Sequence, residues 1–304
     1  MCNNKIILLS ISLILSGFWL NSNASNTFQF LKFSNSARFI GMGGSYSSVN
    51  DEIDSILINP AGIYPIRRSE ILFTRTEMME DVTYDTFIYA LPVKNNSFGF
   101  MVNRITSGDI EGRDINRQIT SNFTSNNTVI SVSYAGKLTE TFRSGIALKY
   151  INSKISDESA TSFAFDVGFQ IKMPVKGLDI GLSSQNIGPK VKYIKDDENL
   201  PMNINFGISY RILNSFLVSV DVQRWLYDKE NHISIGSEYS LFNVIYLRCG
   251  YNKDLSGEND LINTNIIRTG FGIRLKQMVS FDYAYIPSKE TAQTHSISLG
   301  IRFK

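Results

Sequence analysis

The chain contains two histidines, His232 and His295, the side chains best suited to acid–base chemistry near neutral pH. They lie far apart in the sequence, and neither is accompanied by a nucleophile–base motif or by zinc-binding spacing. Each stands at the beginning of a strand-like stretch, so we expect both imidazoles to be solvated at the barrel or sheet rim. The residues that could carry catalysis therefore predict no enzyme, no cofactor and no metal site.

Two other groups carry atoms that could bind a ligand. The acidic residues at 196–198 and 254–260 do not follow EF-hand spacing, so solvated loop charge is the expected role and weak calcium binding stays open. Gly41, Gly43 and Gly44 superficially resemble a phosphate-binding turn. No βαβ unit follows them, and the lysine of a P-loop is missing. We therefore interpret these glycines as a tight backbone bend.

The elements that would position these residues are short stretches of alternating hydrophobicity. In one of them, Phe163, Phe165 and Val167 take one parity, and Asp166 and Gly168 take the other. Because successive side chains of a strand point to opposite faces, such a stretch has one apolar and one polar face. Alternating stretches of about ten residues, separated by turn residues, are typical of transmembrane β-barrels.

We identify fourteen such stretches, which predict an all-β fold: a 14-stranded antiparallel transmembrane β-barrel over residues 69–304. The predicted strands are 69–76, 82–93, 97–105, 128–138, 142–153, 160–173, 178–187, 203–213, 216–227, 231–241, 244–252, 265–275, 278–286 and 294–303. Connections after even-numbered strands are tight, and the longest connections, 106–127, 188–202 and 253–264, follow odd-numbered strands. Outer-membrane barrels have short periplasmic turns and longer outer loops, so this alternation favours a membrane barrel over a secreted soluble β-protein.

The N-terminus and the overall charge indicate the surroundings of the barrel. Lys5 precedes a short apolar run that ends before small residues near Ala24, which predicts a cleaved signal peptide over residues 1–24. The formal net charge is +2, so no basic field would attract nucleic acid. Without the signal peptide, Cys249 is the single cysteine, so no internal disulfide is expected. We therefore predict a protein of the outer membrane of a Gram-negative-type bacterium, surrounded by outer-membrane lipid.

Parity also assigns a set of charged residues to the barrel lumen. The predicted lumen charges are Lys149, Asp166, Asp221, Glu238, Arg248, Arg268, Arg274, Asp282 and Arg302. Both signs occur in similar number, so we expect them to pair across strands in a filled or narrow barrel, with a selectivity or transport ladder as the alternative. The same parity places Val167 on the lipid face and predicts that Gly168→Ser, on the lumen side, is tolerated.

Residues 25–68 lack this alternation and are interpreted as an N-terminal plug or hatch. Its motif residues are Gly41, Gly43, Gly44, Asn59, Pro60 and Gly62, and Pro60 and Gly62 are expected to close a short helical or coiled piece. We expect this segment to fold into the periplasmic half of the lumen. It should pack Phe39, Ile40, Met42, Ile56, Leu57 and Ile58 against inward-facing residues of the barrel.

Several short motifs follow one another along the chain. They are residues 36–44, 59–62, 186–189, 200–201, 206–210, 250–251, 270–272, 282–285 and 294–300. This ordered set resembles the PorV/PorQ family of outer-membrane proteins, which are similar in fold to FadL-type barrels. The resemblance implies a fourteen-stranded barrel with an N-terminal hatch, in agreement with the strand count from alternation.

The resemblance also implies a function, which is to receive secreted proteins at the outer membrane as part of a type IX-like secretion system. Secreted cargo proteins and a translocon or attachment complex would then be its partners. Two other functions stay open. One is FadL-like passage of a hydrophobic small molecule, in which the hatch opens or a strand kink gives a lateral exit. The other is a structural or surface-adhesion barrel without a substrate, and fold alone does not decide among the three.

Overall fold

The computed structural model describes residues 28–50, 52–78, 81–113, 118–119, 121–193, 196–213, 215–256, 266–287 and 293–303. The predicted signal peptide, residues 1–24, lies outside the described residues. In the part of the chain that is described, no helix combines the length and the apolar composition needed to span a membrane.

Within the described ranges, fourteen strands close into one antiparallel barrel, as the alternation predicts. They are β1 (Glu70–Glu77), β2 (Thr83–Val93), β3 (Asn96–Thr106), β4 (Ser125–Lys137), β5 (Phe142–Ile155), β6 (Glu158–Lys172), β7 (Leu178–Ile187), β10 (Asn203–Ile212), β11 (Phe216–Trp225), β12 (Asn231–Leu241), β13 (Ile245–Asp254), β14 (Ile266–Leu275), β15 (Val279–Ile286) and β16 (Thr294–Arg302). Pairing of β16 with β1 closes the sheet. Closure satisfies the backbone of both edge strands, as lipid surroundings require.

Two short strands, β8 (Val191–Tyr193) and β9 (Asp196–Glu198), pair only with each other, in the connection between β7 and β10. The alternation predicts no strand in this connection. Strands of three residues are too short to show an alternation that distinguishes them from a loop.

The connections differ in length at the two ends of the barrel. At one end, which we call the short-turn end, they include 94–95 between β2 and β3 and 213–215 between β10 and β11. At the other end, the loop end, the longest are 107–124, 188–202 and 255–265. The predicted loop at 154–159 is wrong: β5 and β6 continue to a two-residue turn at 156–157, where Ser156 has a φ of 53°.

The two faces of the wall follow the predicted parity. On β6, Phe163 is 67% exposed on the outer face, whereas Asp166 on the lumen face is 1% exposed. Aromatic pairs lie on the outer face towards both ends, with Tyr150 against Phe163 nearer the loop end and Phe142 against Phe169 nearer the short-turn end. This arrangement, an apolar belt with aromatic borders, is what a barrel presents to a bilayer.

The hydrophobic core lies inside the barrel and is built from the N-terminal segment, which we call the plug (residues 28–68). The plug contains the helix α1 (Ala37–Gly41) and the 3-10 helices Gln29–Lys32, Ile53–Leu57 and Pro60–Ile63. All six apolar residues predicted to face the wall are buried there: Phe39, Ile40, Met42, Ile56, Leu57 and Ile58. They pack with wall residues that include Leu72, Ile88, Met101 and Leu217.

Candidate functional site

The plug passes through the barrel from the loop end to the short-turn end. Near its start, the Lys32 ammonium lies 2.9 Å from Asp228 and 2.7 Å from Glu230, which belong to the connection between β11 and β12 at the loop end. Near its end, the carbonyl oxygen of Tyr64 accepts a hydrogen bond of 3.3 Å from Ser97, beside the β2–β3 turn. The expectation that the plug occupies only the periplasmic half is therefore wrong, because an ion pair holds its first residues at the opposite end.

An apolar cluster reinforces this loop-end anchor. Phe28 is fully buried among side chains of β4, β5 and β6 and of the β7–β10 connection, namely Val129, Ile151, Ala160, Ala164, Val191 and Leu200. Phe30 and Leu31 pack against the same cluster. The first described residues of the plug thus complete a second, smaller core at the loop end.

Along its path, the plug backbone lies directly against lumen-facing glycines of the wall. A side-chain carbon added at Gly250 of β13 would lie 2.0 Å from the backbone nitrogen of Gly43, and one added at Gly181 of β7 would lie 2.0 Å from the carbonyl oxygen of Ser47. The residues that we call the glycine seats are Gly145, Gly168, Gly181, Gly236 and Gly250. At each of them a wall side chain would occupy the space that the plug now fills.

Gly168 of β6 shows why lumen position alone does not predict tolerance. A side-chain carbon there would lie 2.0 Å from the Asn59 side-chain oxygen and 2.8 Å from the Pro60 ring. The Asn59 amide cannot move aside freely, because it donates hydrogen bonds to the carbonyl oxygens of Ser47 at 2.7 Å and Phe169 at 3.0 Å. The expected tolerance of Gly168→Ser is therefore wrong.

The other plug motif residues shape its turns. Gly43 and Gly44 have φ values of 68° and 88°, so the bend expected here is present in a conformation that favours glycine. Gly41 lies against Gly270 of β14, where an added side-chain carbon would be 3.3 Å from the Gly270 Cα. Pro60 begins a 3-10 helix instead of closing one, and Gly62 lies within that helix. Proline fits the first position because it has no N–H to satisfy.

Asp221 of β11 holds the residues that follow this bend. Its carboxylate accepts hydrogen bonds from the backbone N–H groups of Tyr46 at 2.8 Å and Ser47 at 2.7 Å. It also accepts from the hydroxyls of Ser45 at 3.0 Å and Ser47 at 2.6 Å. A predicted lumen charge thus binds the plug and not another wall charge, because plug donors reach it on all sides.

A chain of buried ion pairs links the helix α1 to the wall. Arg38 of α1 makes a two-pronged contact with Glu238 of β12, with both N–H···O distances at 2.7 Å. Arg248 of β13 donates to the same Glu238 carboxylate at 2.7 Å and lies 2.7 Å from Asp282 of β15. The predicted pairing across strands is present here, and Arg38 extends it into the plug.

Glu52 is a second point where plug and wall charges meet. Its carboxylate lies 2.7 Å from Arg274 of β14 and 3.2 Å from both Arg302 of β16 and Arg38. Arg302 also pairs with Glu70 of β1 at 3.0 Å. Burial alone would raise the pKa of Glu52, but Arg274, Arg38 and Arg302 together lower that pKa to about 2. Glu52 therefore stays ionised and joins three guanidinium groups.

Asp54, two residues further on, has the opposite setting. The hydroxyl of Tyr46 donates to its carboxyl at 2.9 Å, and Ser36 donates to the other oxygen. Burial raises the pKa of Asp54 above its ordinary value. The pKa values of these neighbouring plug carboxyls thus shift in opposite directions, because three guanidinium groups outweigh burial at Glu52, whereas burial dominates at Asp54.

The remaining predicted lumen charges lie elsewhere on the wall. Lys149 of β5 pairs with Asp166 of β6 at 2.7 Å and donates to the Asn186 side chain at 2.9 Å. Asp166 in turn accepts from the Asn186 backbone at 2.8 Å, next to the register shift between β6 and β7. Arg268 of β14 makes no ion pair with any described residue, and its Nε is buried without a hydrogen-bond partner.

The sequence patterns did not point to Arg38 and Glu52, the two plug residues that form buried ion pairs with the charges of the wall. The signal that could have identified them is the occurrence of charges of both signs, Arg38, Glu52 and Asp54, within a stretch that is otherwise mainly apolar or small. A buried charge requires a partner, and the unpaired lumen residues of opposite sign are the partners available.

Two cavities border the plug. The cavity at the short-turn end is small, about 20 Å³, and has a charged lining that includes Arg38, Glu52, Arg274 and Arg302. The cavity at the loop end, about 30 Å³, has a mixed lining of residues Phe30, Leu31, Phe33, Ser34, Leu57, Tyr84, Met101, Asn103, Ile105, Asn127, Val129, Lys149 and Gln185. Among the described residues, no group of three or more His, Cys, Asp or Glu side chains is arranged to hold a metal ion.

His295 lies outside this interior, whereas His232 has the lumen parity of the buried Ser234 and a side chain only 15% exposed, so the expectation that both imidazoles are solvated is wrong for His232. His295 is on the outer face of β16, where its Nδ1 is 2.8 Å from the Tyr283 hydroxyl. The His232 ring lies 3.7 Å from Glu230 at the start of β12. Both histidines stand at strand beginnings, as predicted, and each has a specific polar neighbour.

The chain is similar to known proteins in sequence and in fold. Residues 22–230 match the family model described as Type IX secretion system protein PorV. No curated protein sequence matches the chain. Among solved structures, the chain is similar to the Ralstonia pickettii toluene transporter TbuX, with 12% identity, a TM-score of 0.69, and coverage of 89% of this chain and 99% of that one.

Two further solved structures have the same architecture. The Pseudomonas putida toluene transporter TodX has 12% identity, a TM-score of 0.67, and coverage of 89% of this chain and 98% of that one. A Pseudomonas aeruginosa FadL homologue has 10% identity, a TM-score of 0.63, and the same coverage. At these identities the likeness shows the fold, which indicates an outer-membrane barrel. The match to the family model covers more than half of the sequence, and the chain therefore belongs to the PorV family.

Proposed function

We propose that this protein is a secretion component of the outer membrane that handles secreted cargo at its loop end, with the short-turn end facing the periplasm. The observation that carries the proposal is the plug, which runs through the lumen from one end of the barrel to the other. The plug is anchored at the loop end by Lys32, held midway by Asp221 and tied near the short-turn end by Glu52. A barrel closed in this way presents its outer rim and loops, and not its interior, to a polypeptide.

The orientation follows from the connections. Outer-membrane barrels have short turns on the periplasmic side and longer loops outside. The connections 107–124, 188–202 and 255–265 would then be exposed at the cell surface. Secreted proteins that have crossed the membrane would meet this side first.

The longest of these loops exposes apolar side chains. Ile110 is 40% exposed and Ile119 is 64% exposed, in a loop closed by an isolated bridge between Ile110 and Phe123. Contact sites for other proteins are commonly apolar patches of the surface, and these two isoleucines supply apolar surface to this loop. We infer that this loop, residues 107–124, contributes to cargo contact.

A FadL-like passage of small hydrophobic molecules is the second candidate. The loop-end cavity favours it, because Phe30, Leu31, Phe33, Met101 and Val129 give part of its lining an apolar character. Passage would require the plug to leave its glycine seats, since the cavity ends on plug residues such as Leu57.

One experiment separates the two functions. The gene is deleted in its own bacterium and restored as wild type, as the Ile110→Ser/Ile119→Ser variant, or as Asn122→Ser, a polar control in the same loop. Surface display of secreted proteins and uptake of toluene are measured in each strain. The secretion function predicts that display is lost in the deletion and reduced in the Ile variant, while toluene uptake is unchanged and Asn122→Ser behaves as wild type. Normal display with lost toluene uptake in the deletion strain would contradict it.

A further inference from the structure

The short-turn end of the barrel carries an excess of positive charge. The turns expose Lys94 between β2 and β3, Lys176 between β6 and β7, and Lys276 between β14 and β15. Lys137, Lys172 and Arg211 lie at the ends of β4, β6 and β10 on the same side. We call these six residues the basic ring. From it we propose that the short-turn end is a docking site for an acidic protein surface, an inference that rests on the periplasmic orientation proposed above and not on the cargo function.

The strand positions of the ring indicate where its charges are presented. Each of the three strand residues stands two positions after a buried residue of its strand and therefore points to the same face. The pairs are Lys172 with Gln170, Arg211 with Ser209, and Lys137 with Ala135. These are lumen parities, so the three cations border the mouth of the barrel and not its lipid face. This placement favours a protein that covers the mouth over the head groups of surrounding anionic lipids.

The barrel itself supplies little compensation for these charges. Lys94, Lys176, Arg211 and Lys276 make no ion pair with any residue in the described ranges, whereas Lys137 pairs with Glu140. Asp179 is the partner of Lys172 in the β6–β7 register, yet no ion pair joins them within the described residues, and the Asp179 Oδ1 is buried without a hydrogen bond. The turns at this end contain no other acidic residue.

The positive surface continues to the point where the plug leaves the lumen. The Arg67 guanidinium lies 5.3 Å from the centre of the Tyr64 ring, and the Arg143 guanidinium lies 5.8 Å from it. The Nη1 of Arg143 is buried without a hydrogen-bond partner. Around Tyr64 the floor of the mouth thus has the same sign as the rim, whereas on the side of β1 and β16 Glu70 is paired with Arg302.

This excess contrasts with the interior, where lumen cations such as Arg248 and Arg274 have the carboxylate partners Glu238 and Glu52, with Arg268 as an exception. Like charges gathered around one opening repel one another and weaken the fold unless an opposite surface covers them. Complementary charge between two proteins raises the rate of association and fixes their orientation. An acidic protein surface that covers the mouth would therefore neutralise the charges of the basic ring and would lie directly beneath the plug.

The test measures binding of an acidic polypeptide to the full mature protein in nanodiscs of zwitterionic lipid. The probe is a fluorescent poly-L-glutamate peptide, and its Kd is determined at low and at physiological salt. The ring variant is Lys94→Glu/Lys172→Glu/Lys176→Glu/Lys276→Glu. The matched control changes four exposed lysines of the loop end, Lys154→Glu/Lys190→Glu/Lys192→Glu/Lys253→Glu. Heat-modifiable migration in gels verifies that both variants contain a folded barrel.

We expect the ring variant to weaken binding by about tenfold or more, and the control to change it by less than about twofold, with weaker binding of the wild type at higher salt. Equal binding by wild type and ring variant would overturn the proposal, as would an equal loss in the control. Short-chain phosphatidylglycerol is added as a competitor. If it displaces the peptide as effectively as unlabelled polyglutamate does, the ring binds lipid head groups and the proposal is wrong. Neither result depends on surface display of cargo. The docking-site proposal and the cargo proposal can therefore be contradicted independently of each other.

Discussion

The carboxylate of Asp221 on β11 accepts a hydrogen bond of 2.7 Å from the backbone N–H of Ser47 in the plug. The residues are separated by 174 positions in sequence, so this contact exists only when the barrel has formed around the plug. With the bond from Tyr46, it makes one wall carboxylate the anchor of the plug's central bend.

Replacing this anchor should loosen the plug. Asp221→Ala leaves the N–H groups of Tyr46 and Ser47 buried without acceptors, and each unsatisfied group costs about 1–3 kcal/mol. We expect a lower unfolding temperature and faster protease cleavage within the plug. Ser219→Ala on the same strand removes one neutral hydrogen bond to the Ser45 carbonyl and should cost only about 1 kcal/mol. Equal effects of the two substitutions would mean that Asp221 is not the anchor.

Glu52 should make the plug sensitive to acid. Its folded pKa of about 2 lies below its ordinary value of 4.5, so its contribution to stability is complete above about pH 4.5 and is lost as the pH falls towards 2. The shift corresponds to about 3 kcal/mol. Glu52→Gln should lower stability at neutral pH and flatten the pH dependence in this window. Glu140→Gln, in an exposed pair with Lys137, is the control and should leave the curve unchanged. An unaltered curve for Glu52→Gln would contradict the assigned role.

The glycine seats should be intolerant of any side chain. Gly250→Ala and Gly168→Ser place atoms where the plug backbone or the Asn59 side chain now lies, so we expect an assembled barrel with a displaced plug and a larger single-channel conductance. Gly300→Ala is the matched control, because its nearest neighbour is the end of the Ser280 side chain, which can rotate away. Wild-type conductance and stability in Gly250→Ala would show that the plug can shift at no cost.

The lipid face of β6 gives a test of the membrane boundary. Val167→Arg should cost about 2–4 kcal/mol and impair assembly, because it places a charge at the middle of the apolar belt. Thr161→Arg lies on the same face nearer the loop end and should cost about 0–1 kcal/mol, since it is close to the interface. Urea unfolding of the barrel in lipid vesicles measures both. A larger cost at Thr161 would place the bilayer elsewhere on the barrel.

Orientation can be determined on intact cells. Cysteines introduced at Ser121 and Ser256, in the connections of the loop end, should react with a membrane-impermeant maleimide, whereas one at Ser215 should not. Cys249 is exposed on the outer face of the barrel and should first be replaced by serine. Labelling at Ser215 equal to that at Ser121 would reverse the proposed orientation.

The alternation of polar and apolar residues predicts the strands of the barrel wall, because the two faces of every strand have different surroundings. Strands such as β7 and β12 have the bounds that the pattern predicts. The predicted faces of Val167, outwards, and of Asp166, towards the lumen, are also correct. The exceptions are the β5–β6 hairpin, where strand residues continue past the membrane, and the β8–β9 hairpin, which is too short to alternate.

The contacts of the plug were not predictable in the same way. Parity shows that Gly168 and Asp221 face inwards, but it does not show what meets them there. Asn59 and Ser47 reach them from positions more than a hundred residues away, and no periodicity relates such residues. The pairing of Glu52 with Arg274 is unpredictable for the same reason, although opposite charges in plug and lumen indicate that some pairing occurs.

The plug precedes the barrel in the chain, yet some of the residues that it contacts lie near the end of the chain. The backbone of Ala37 donates to the Ser298 hydroxyl across 261 residues, and Ser298 belongs to the last strand. Contacts between distant parts of a chain form slowly, because the intervening chain must first be ordered. This contact therefore requires the last strand, so the complete set of plug contacts exists only in the finished barrel. An export or insertion machinery that sensed a free plug would be able to recognise unfinished molecules.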